Sequence, residues 1–345
     1  MKIVVDDKIP YILPALSELA DEVVAEPGRE ITADVVRDAY ILVVRTRTKC
    51  NRDLLEGSSV ALIVTATIGY DHLDTDYLKE AGIEWTNCAG CNADSVAQYI
   101  GNSLLLLQRD RGLNISESTI GIVGVGHVGT AVLAKAQSIG FKNILLNDPP
   151  RQERGDRAPD GMKWDSLYAL AREADVITFH TPLTDQAPFA TYHLADAAFF
   201  AHLQRKPVIM NAARGGVVDE DALLSAMSSG RVREAVIDTW ENEPTINHRL
   251  LDNAFVATPH VAGYSADGKA NATRMALAAI CRFLNRPMTF KIEPPALPEG
   301  LCLSEDAVER ALQLYNPLAD TERLRETPEN FEKLREHYPL RREFA

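Results

Sequence analysis

No apolar run in this chain is long enough to span a membrane. The first residues, Met1 to Asp7, meet acids too early for a secretory signal, so a cytoplasmic location is expected. Cysteine is sparse: five in 345 residues, an odd number and scattered. Cys88 and Cys91 make one C-x-x-C pair, but a structural zinc site needs a second pair, and none exists. No metal is expected, and in a cytosolic chain two loop or buried thiols are favoured over a redox pair. Basic charge is also short. Lys and Arg number 36 against 49 Asp and Glu, a net charge of −13. That balance argues against a nucleic-acid surface. It would also repel an anionic substrate, which would need a local basic patch. Internal repeats and low-complexity tracts are lacking too. The rest is ordinary globular composition, 46% hydrophobic and 25% charged, in a chain long enough for two domains.

The most informative stretch runs from Thr119 to Thr130. A short apolar strand enters a glycine turn and then a helix. Gly124, Gly126 and Gly129 stand in the G-x-G-x-x-G spacing. The first glycine suits a tight turn, the second a close approach of pyrophosphate to backbone, the third close helix–strand packing. Val128, Val132, Ala136 and Ile139 share one face of the helix, which stops at Gly140. Its first amides, at His127, Val128 and Gly129, can hold a diphosphate without a lysine. A second strand, Ile144–Leu146, ends in Asp148, nineteen residues after Gly129, where a carboxylate accepts from the adenosine ribose.

Ahead of this turn lies a first α/β unit. Apolar strands at Ile3–Val5, Tyr40–Val44 and Leu62–Val64 alternate with helical segments such as Ile12–Ala20 and Asp74–Ala81, which implies a parallel sheet. Polar residues gather at the strand ends, where open sheets of this kind bind ligands. Arg45, Arg47 and Lys49, beside Thr46 and Thr48, form a candidate anion site there. A long helix, Asp94 to Arg109, capped by Asp94 or Ser95, leads into the second unit. Six strands are expected in that unit, at Ile120–Val123, Ile144–Leu146, Val176–Phe179, Val208–Met210, Ala235–Ile237 and Phe255–Ala257. A helix at Gly268–Asn285 returns to the first unit. A proline-rich linker with Pro287, Pro294, Pro295 and Pro298 then leads to a small helical tail. The expected domains are 1–93 with 265–285, then 94–264, then a segment at 286–345.

The residues that follow the later strands suggest chemistry. His180 to Pro182 follow one, Asn211 to Gly216 the next, Asp238 to Pro244 the next, and Thr258 to Tyr264 the last. One sheet edge thus collects an arginine, carboxylates and a histidine. Oxidising a secondary alcohol needs a base for the hydroxyl proton and a grip on the acid. His260 is the candidate base, because an imidazole titrates near neutrality. Glu243 is its candidate orienting partner, and Arg214 can grip a carboxylate with its two-pronged guanidinium. His180 reads as packing near the cofactor. His72, His193, His202, His248 and His337 have no partner that the sequence shows.

The glycine turn, the N-x-x-R-G motif at Arg214, the D-x-W-x-x-E-P motif at Asp238–Pro244 and the T-P-H motif at His260 resemble those of the D-2-hydroxyacid dehydrogenases. Further stretches point to a branch that acts on a phosphorylated 2-hydroxy acid. They are Asp148–Arg151, Thr178–Leu183, Pro259–Tyr264, Thr65–Thr67 with Asp71 and His72, Gly90–Ala93, and the tail through Arg341–Phe344. The resemblance implies two doubly wound parallel-sheet domains, a flavodoxin-like substrate domain and a Rossmann NAD domain, with a small C-terminal appendage that forms a homodimer. It implies NAD as cofactor and Arg214, Glu243 and His260 as catalytic. Asp148, Thr181, Asp238 and Gly263 would contact NAD; Thr46, Thr67 and Tyr264 would contact substrate. Arg47, from the basic cluster, suits the phosphate. His127 and Ala213 depart from the asparagine and cysteine expected in the family. Arg151 raises the question of NADP, but Asp148 would repel a 2′-phosphate. The other readings are a dehydrogenase of another 2-hydroxy acid, such as 3-phosphoglycerate, and a non-catalytic NAD-sensing protein. The intact Arg214, Glu243 and His260 set argues against the sensor.

Overall fold

The structure is a computed structural model in which residues 1–297 and 300–343 are described; Pro298 of the linker and Phe344 of the tail motif lie outside them. The chain forms two compact units, Met1–Asn92 with Ser265–Ala296, and Ala93–Tyr264 with Leu297–Ala345. The segment expected at 286–345 is therefore shared between the units, parting after Ala296.

The first unit is built on strands β1 (Lys2–Asp6), β2 (Glu22–Glu26), β3 (Ile41–Val44), β4 (Leu62–Thr65) and β5 (Glu84–Asn87), in the order β2-β1-β3-β4-β5. All neighbours are parallel. This is the flavodoxin-like order. The central strands are apolar on both faces because helices cover both. Ile3, Val5, Val43 and Val64 pack on one side with Ala270, Leu277 and Ile280 of the helix Ala266–Phe283. Val4, Leu42, Val44 and Ile63 pack on the other with Leu54, Leu55 and Leu78. The returning helix starts two residues earlier than expected, because Ser265 caps it by accepting from the Gly268 amide at 2.8 Å. The sequence reading missed β2 and β5. Both are edge strands, half-exposed, so neither needs an apolar run.

The second unit begins with the helix Ala93–Arg111. Neither Asp94 nor Ser95 caps it: both lie inside its first turn, and the Ser95 hydroxyl instead meets the Glu343 carboxylate at 2.6 Å. Its sheet comprises β6 (Thr119–Val123), β7 (Asn143–Asn147), β8 (Val176–Phe179), β9 (Val208–Asn211), β10 (Glu234–Ile237) and β11 (Val256–Ala257). The order is β11-β10-β9-β8-β6-β7, all parallel. Beyond β7, Trp164 makes an isolated parallel bridge to Leu146, so the place of a further edge strand shrinks to one residue. Strand order reverses at β6, which opens a crevice at its carboxyl end. The tail adds helices Ala307–Leu314, Pro317–Glu326 and Phe331–Glu336. They bury Leu312, Leu324 and Phe331 in the cores on the two sides of this sheet. Among the described residues, no helix is long and apolar enough to cross a membrane.

Candidate active site

The glycine turn sits at the carboxyl end of β6, and the helix His127–Ile139 starts directly from it. Gly124 has φ +83°, a left-handed conformation that disfavours a side chain. A Cβ at Gly129 would overlap the Gly124 carbonyl, whereas the space around Gly126 is open. No side chain caps the helix at Gly126. Its first amides are therefore available to an anion. Nearby, Thr181 Oγ1 and His180 Nδ1 are buried with no protein partner. An open glycine cradle, uncapped amides and orphaned polar atoms fit a bound dinucleotide. Asp148 follows β7. One of its oxygens accepts from the Val125 amide at 2.8 Å and the other from the Arg151 amide at 3.1 Å. A carboxylate retains acceptor capacity beyond two such bonds. Arg151 is itself engaged: it donates to the Val125 carbonyl at 2.6 Å, pairs with Asp156 at 3.3 Å and lies over the Trp164 ring. An arginine held this way is not free to receive a 2′-phosphate, which favours NAD.

The acid–base candidates meet at the ends of β10 and β11. His260 Nδ1 lies 2.8 and 3.1 Å from the two Glu243 oxygens. Glu243 Oε1 also accepts from the Trp240 amide at 2.9 Å. Burial raises the Glu243 pKa, but the His260 ring, the Trp240 amide and Arg335 outweigh it and leave the carboxyl below its ordinary value. His260 has φ +57°, unusual for a side chain with a Cβ. Such strain persists only where the surroundings over-determine it, and it clusters at functional sites. The turn that carries Arg214 is closed by Asn211, whose side chain accepts from the Ala213 amide at 3.1 Å and donates to the Arg214 carbonyl at 2.9 Å. A Cβ on Gly215 would overlap the Trp240 carbonyl, so this turn abuts the one that holds Glu243. Arg214 itself is exposed. Asp238, expected at the cofactor, is 1% exposed. Its carboxylate accepts from the Val261 and Ala262 amides at 2.8 and 3.0 Å and lies 2.6 Å from the Thr258 hydroxyl. It thus pins the turn around His260. Gly263 and Tyr264 continue that turn and are half-buried.

In the first unit, the basic cluster after β3 divides. Arg45 turns to the fully buried Asp6 at 3.1 Å, leaving Arg47 and Lys49 exposed beside exposed Thr46. Thr67 follows β4; its hydroxyl lies 2.6 Å from Thr65 Oγ1, which in turn lies 3.0 Å from His72 Nε2. His72 therefore has partners that the sequence did not reveal, and burial lowers its pKa against the opposing charge of Asp71. His193 likewise proves partnered, 3.0 Å from Glu241 and stacked on Tyr192. Cys88 and Cys91 are buried and form no disulfide. Sequence reasoning also missed Arg341, whose contacts with residues 261, 262 and 264 span nearly eighty positions.

Residues 100–262 match the family described as D-isomer specific 2-hydroxyacid dehydrogenase, NAD binding domain. The chain is 53% identical over 343 residues to the erythronate-4-phosphate dehydrogenase of Bacteroides thetaiotaomicron, covering 99% of this chain and 97% of that one. It is 40% identical to that of Cronobacter sakazakii, covering 100% and 93%. Among solved structures, D-lactate dehydrogenase from Aquifex aeolicus, complexed with NAD and lactic acid, gives a TM-score of 0.64 at 24% identity, covering 83% of this chain and 96% of that one. Holo D-mandelate dehydrogenase from Rhodotorula graminis gives 0.68 at 23%, covering 86% and 99%. These two likenesses show the fold. The second unit is thus an NAD-binding domain of the D-isomer specific 2-hydroxyacid dehydrogenase class. Within that class, the chain belongs to the erythronate-4-phosphate dehydrogenase family.

Proposed function

We propose that this protein oxidises 4-phospho-D-erythronate to (R)-3-hydroxy-2-oxo-4-phosphooxybutanoate with NAD, a step in pyridoxal phosphate synthesis. Relatives of that name align over nearly the whole chain. When bound, NAD supplies the acceptor for the hydride that leaves C2. Gly126, His127, Val128 and Gly129 would hold its pyrophosphate through backbone amides, Gly124 would make the tight turn with its own amide given to the Asn147 carbonyl at 2.8 Å, and Asp148 would take the ribose. Thr181 and Gly263 would be its further contacts, and Asp238 would serve it indirectly by fixing the turn that carries His260.

His260 is the acid–base group. With Nδ1 turned to Glu243, Nε2 is left to take the C2 hydroxyl proton. Glu243 fixes the tautomer and steadies the imidazolium that results. Arg214 grips the substrate carboxylate and polarises the forming carbonyl. Thr46, Thr67 and Tyr264 are substrate contacts, and Arg47 meets the phosphate. A homodimer formed through the C-terminal segment and a cytoplasmic location complete the reading; the family resemblance supports the dimer.

The 2.8 Å contact between His260 Nδ1 and Glu243 carries this reading. His260→Ala is expected to lower turnover by roughly 10²–10⁴-fold while NAD still binds. Steady-state NADH formation beside an NAD titration checks both; unchanged turnover would remove His260 from its role.

A further inference from the structure

We infer that Arg341, near the end of the chain, is a positioning residue for His260: its guanidinium holds the backbone of the turn on which His260 sits. This rests on the reading of His260 as the acid–base group.

Arg341 is 7% exposed. Nη1 donates to the carbonyls of Val261 at 3.0 Å and Tyr264 at 2.7 Å. Nη2 donates to those of Ala262 at 2.6 Å and Ser95 at 3.2 Å. Nε donates to Gln98 Oε1 at 2.9 Å. A guanidinium has five N–H donors, and all five find acceptors here. Three of the five are carbonyls of residues 261, 262 and 264, in a turn where neither helix nor strand can satisfy them.

The same peptides are held from the other side by Asp238, which takes the amides of Val261 and Ala262. Carboxylate and guanidinium thus fix both the donors and the acceptors of the segment after His260. That segment needs fixing. The left-handed backbone of His260 is disfavoured for a residue with a Cβ, so without restraint it would relax and carry the imidazole with it.

The anchor is itself well seated. The Arg341 guanidinium lies 3.9 Å from the Tyr315 ring centroid. The Gln98 amide donates to the carbonyls of Arg342 and Glu343 at 2.8 and 3.2 Å, and Glu343 meets Ser95 at 2.6 Å. Burying a guanidinium among neutral acceptors is a poor way to gain stability. It is a good way to fix several backbone groups in one geometry. A lysine, with a compact head and no fork, cannot reach all of them.

The test uses the full chain. Arg341→Lys, Arg341→Ala and Gln98→Ala are compared with the parent for kcat and KM with 4-phosphoerythronate and for NAD affinity, each per folded molecule. Arg341→Lys is expected to lower kcat by roughly 10–100-fold with NAD affinity almost unchanged. Added guanidinium is expected to restore part of the activity of Arg341→Ala, a response that lost packing alone does not give. Gln98→Ala, which loosens the clamp and leaves Arg341 in place, is expected to lower kcat severalfold, and it decides the matter if the Arg341 variants do not fold. Unchanged kcat per folded molecule in Gln98→Ala and Arg341→Lys would overturn the assignment. His260→Ala, run in parallel, separates the two ideas: if it is inactive while the clamp variants are normal, only the positioning role fails. If His260→Ala is active, the acid–base reading fails and this inference fails with it.

Discussion

His180 shows how burial at one residue becomes a property of the whole chain. Its Nε2 lies 2.9 Å from Thr178 Oγ1, its Nδ1 has no protein partner, and burial pushes its pKa down to about 3. An unfolded chain takes up this proton near pH 6.5. From about 6.5 down to about 3, therefore, the unfolded state holds the extra proton. Stability falls with pH across that window by about 1.4 kcal/mol per pH unit from this group alone, and above it the loss is absent. His180→Gln, which can keep a bond to Thr178, should lose less stability between neutral and acid pH than the parent. Denaturant unfolding at both pH values checks this, and equal losses in the two proteins would contradict it. At this scale the sequence was a fair guide to residues that stand at strand ends. Arg214, Glu243 and His260 each follow a strand of the expected sheet. It could not reveal His193 beside Glu241 or Arg341 beside Val261, because such pairs depend on which turns the fold brings together.

The glycine turn is where a single element decides cofactor binding, and two of its glycines separate packing from ligand. At Gly129 a methyl group would meet the Gly124 carbonyl, a backbone atom that cannot swing away. Gly129→Ala should cost roughly 1–3 kcal/mol by overpacking, more than the gain of up to about 1 kcal/mol from better helix propensity. A Cβ at Gly126 meets nothing within 4 Å. Gly126→Ala should therefore leave stability nearly unchanged and weaken NAD binding. Thermal unfolding and NAD titration of both variants check the pair; a stable Gly129→Ala or an unaltered NAD affinity in Gly126→Ala would contradict it. The strand, turn and helix were legible because apolar residues, glycines and a terminating Gly140 all agreed. The edge strands β2 and β5 were not legible, since half-exposed strands tolerate Glu22, Glu26 and Glu84. The bridge at Trp164 is a single residue and leaves no periodic pattern.

The whole molecule is two parallel-sheet units, each doubly wound, and the alternation of apolar runs with helical segments made that architecture readable. The tail was less so. Its leucines announced helices, but not that Leu312, Leu324 and Phe331 join the cores of the second unit or that Arg341 reaches the His260 turn. What the protein acts on is a chemical question, and substrate preference answers it most directly. NADH absorbance is followed with 4-phosphoerythronate, erythronate, 3-phosphoglycerate and D-lactate. The account predicts that 4-phosphoerythronate leads, exceeding erythronate in kcat/KM by about 10–100-fold or more, as one or two charge-assisted phosphate contacts would give. Equal rates with and without the phosphate, or no NADH from any of the four, would contradict it.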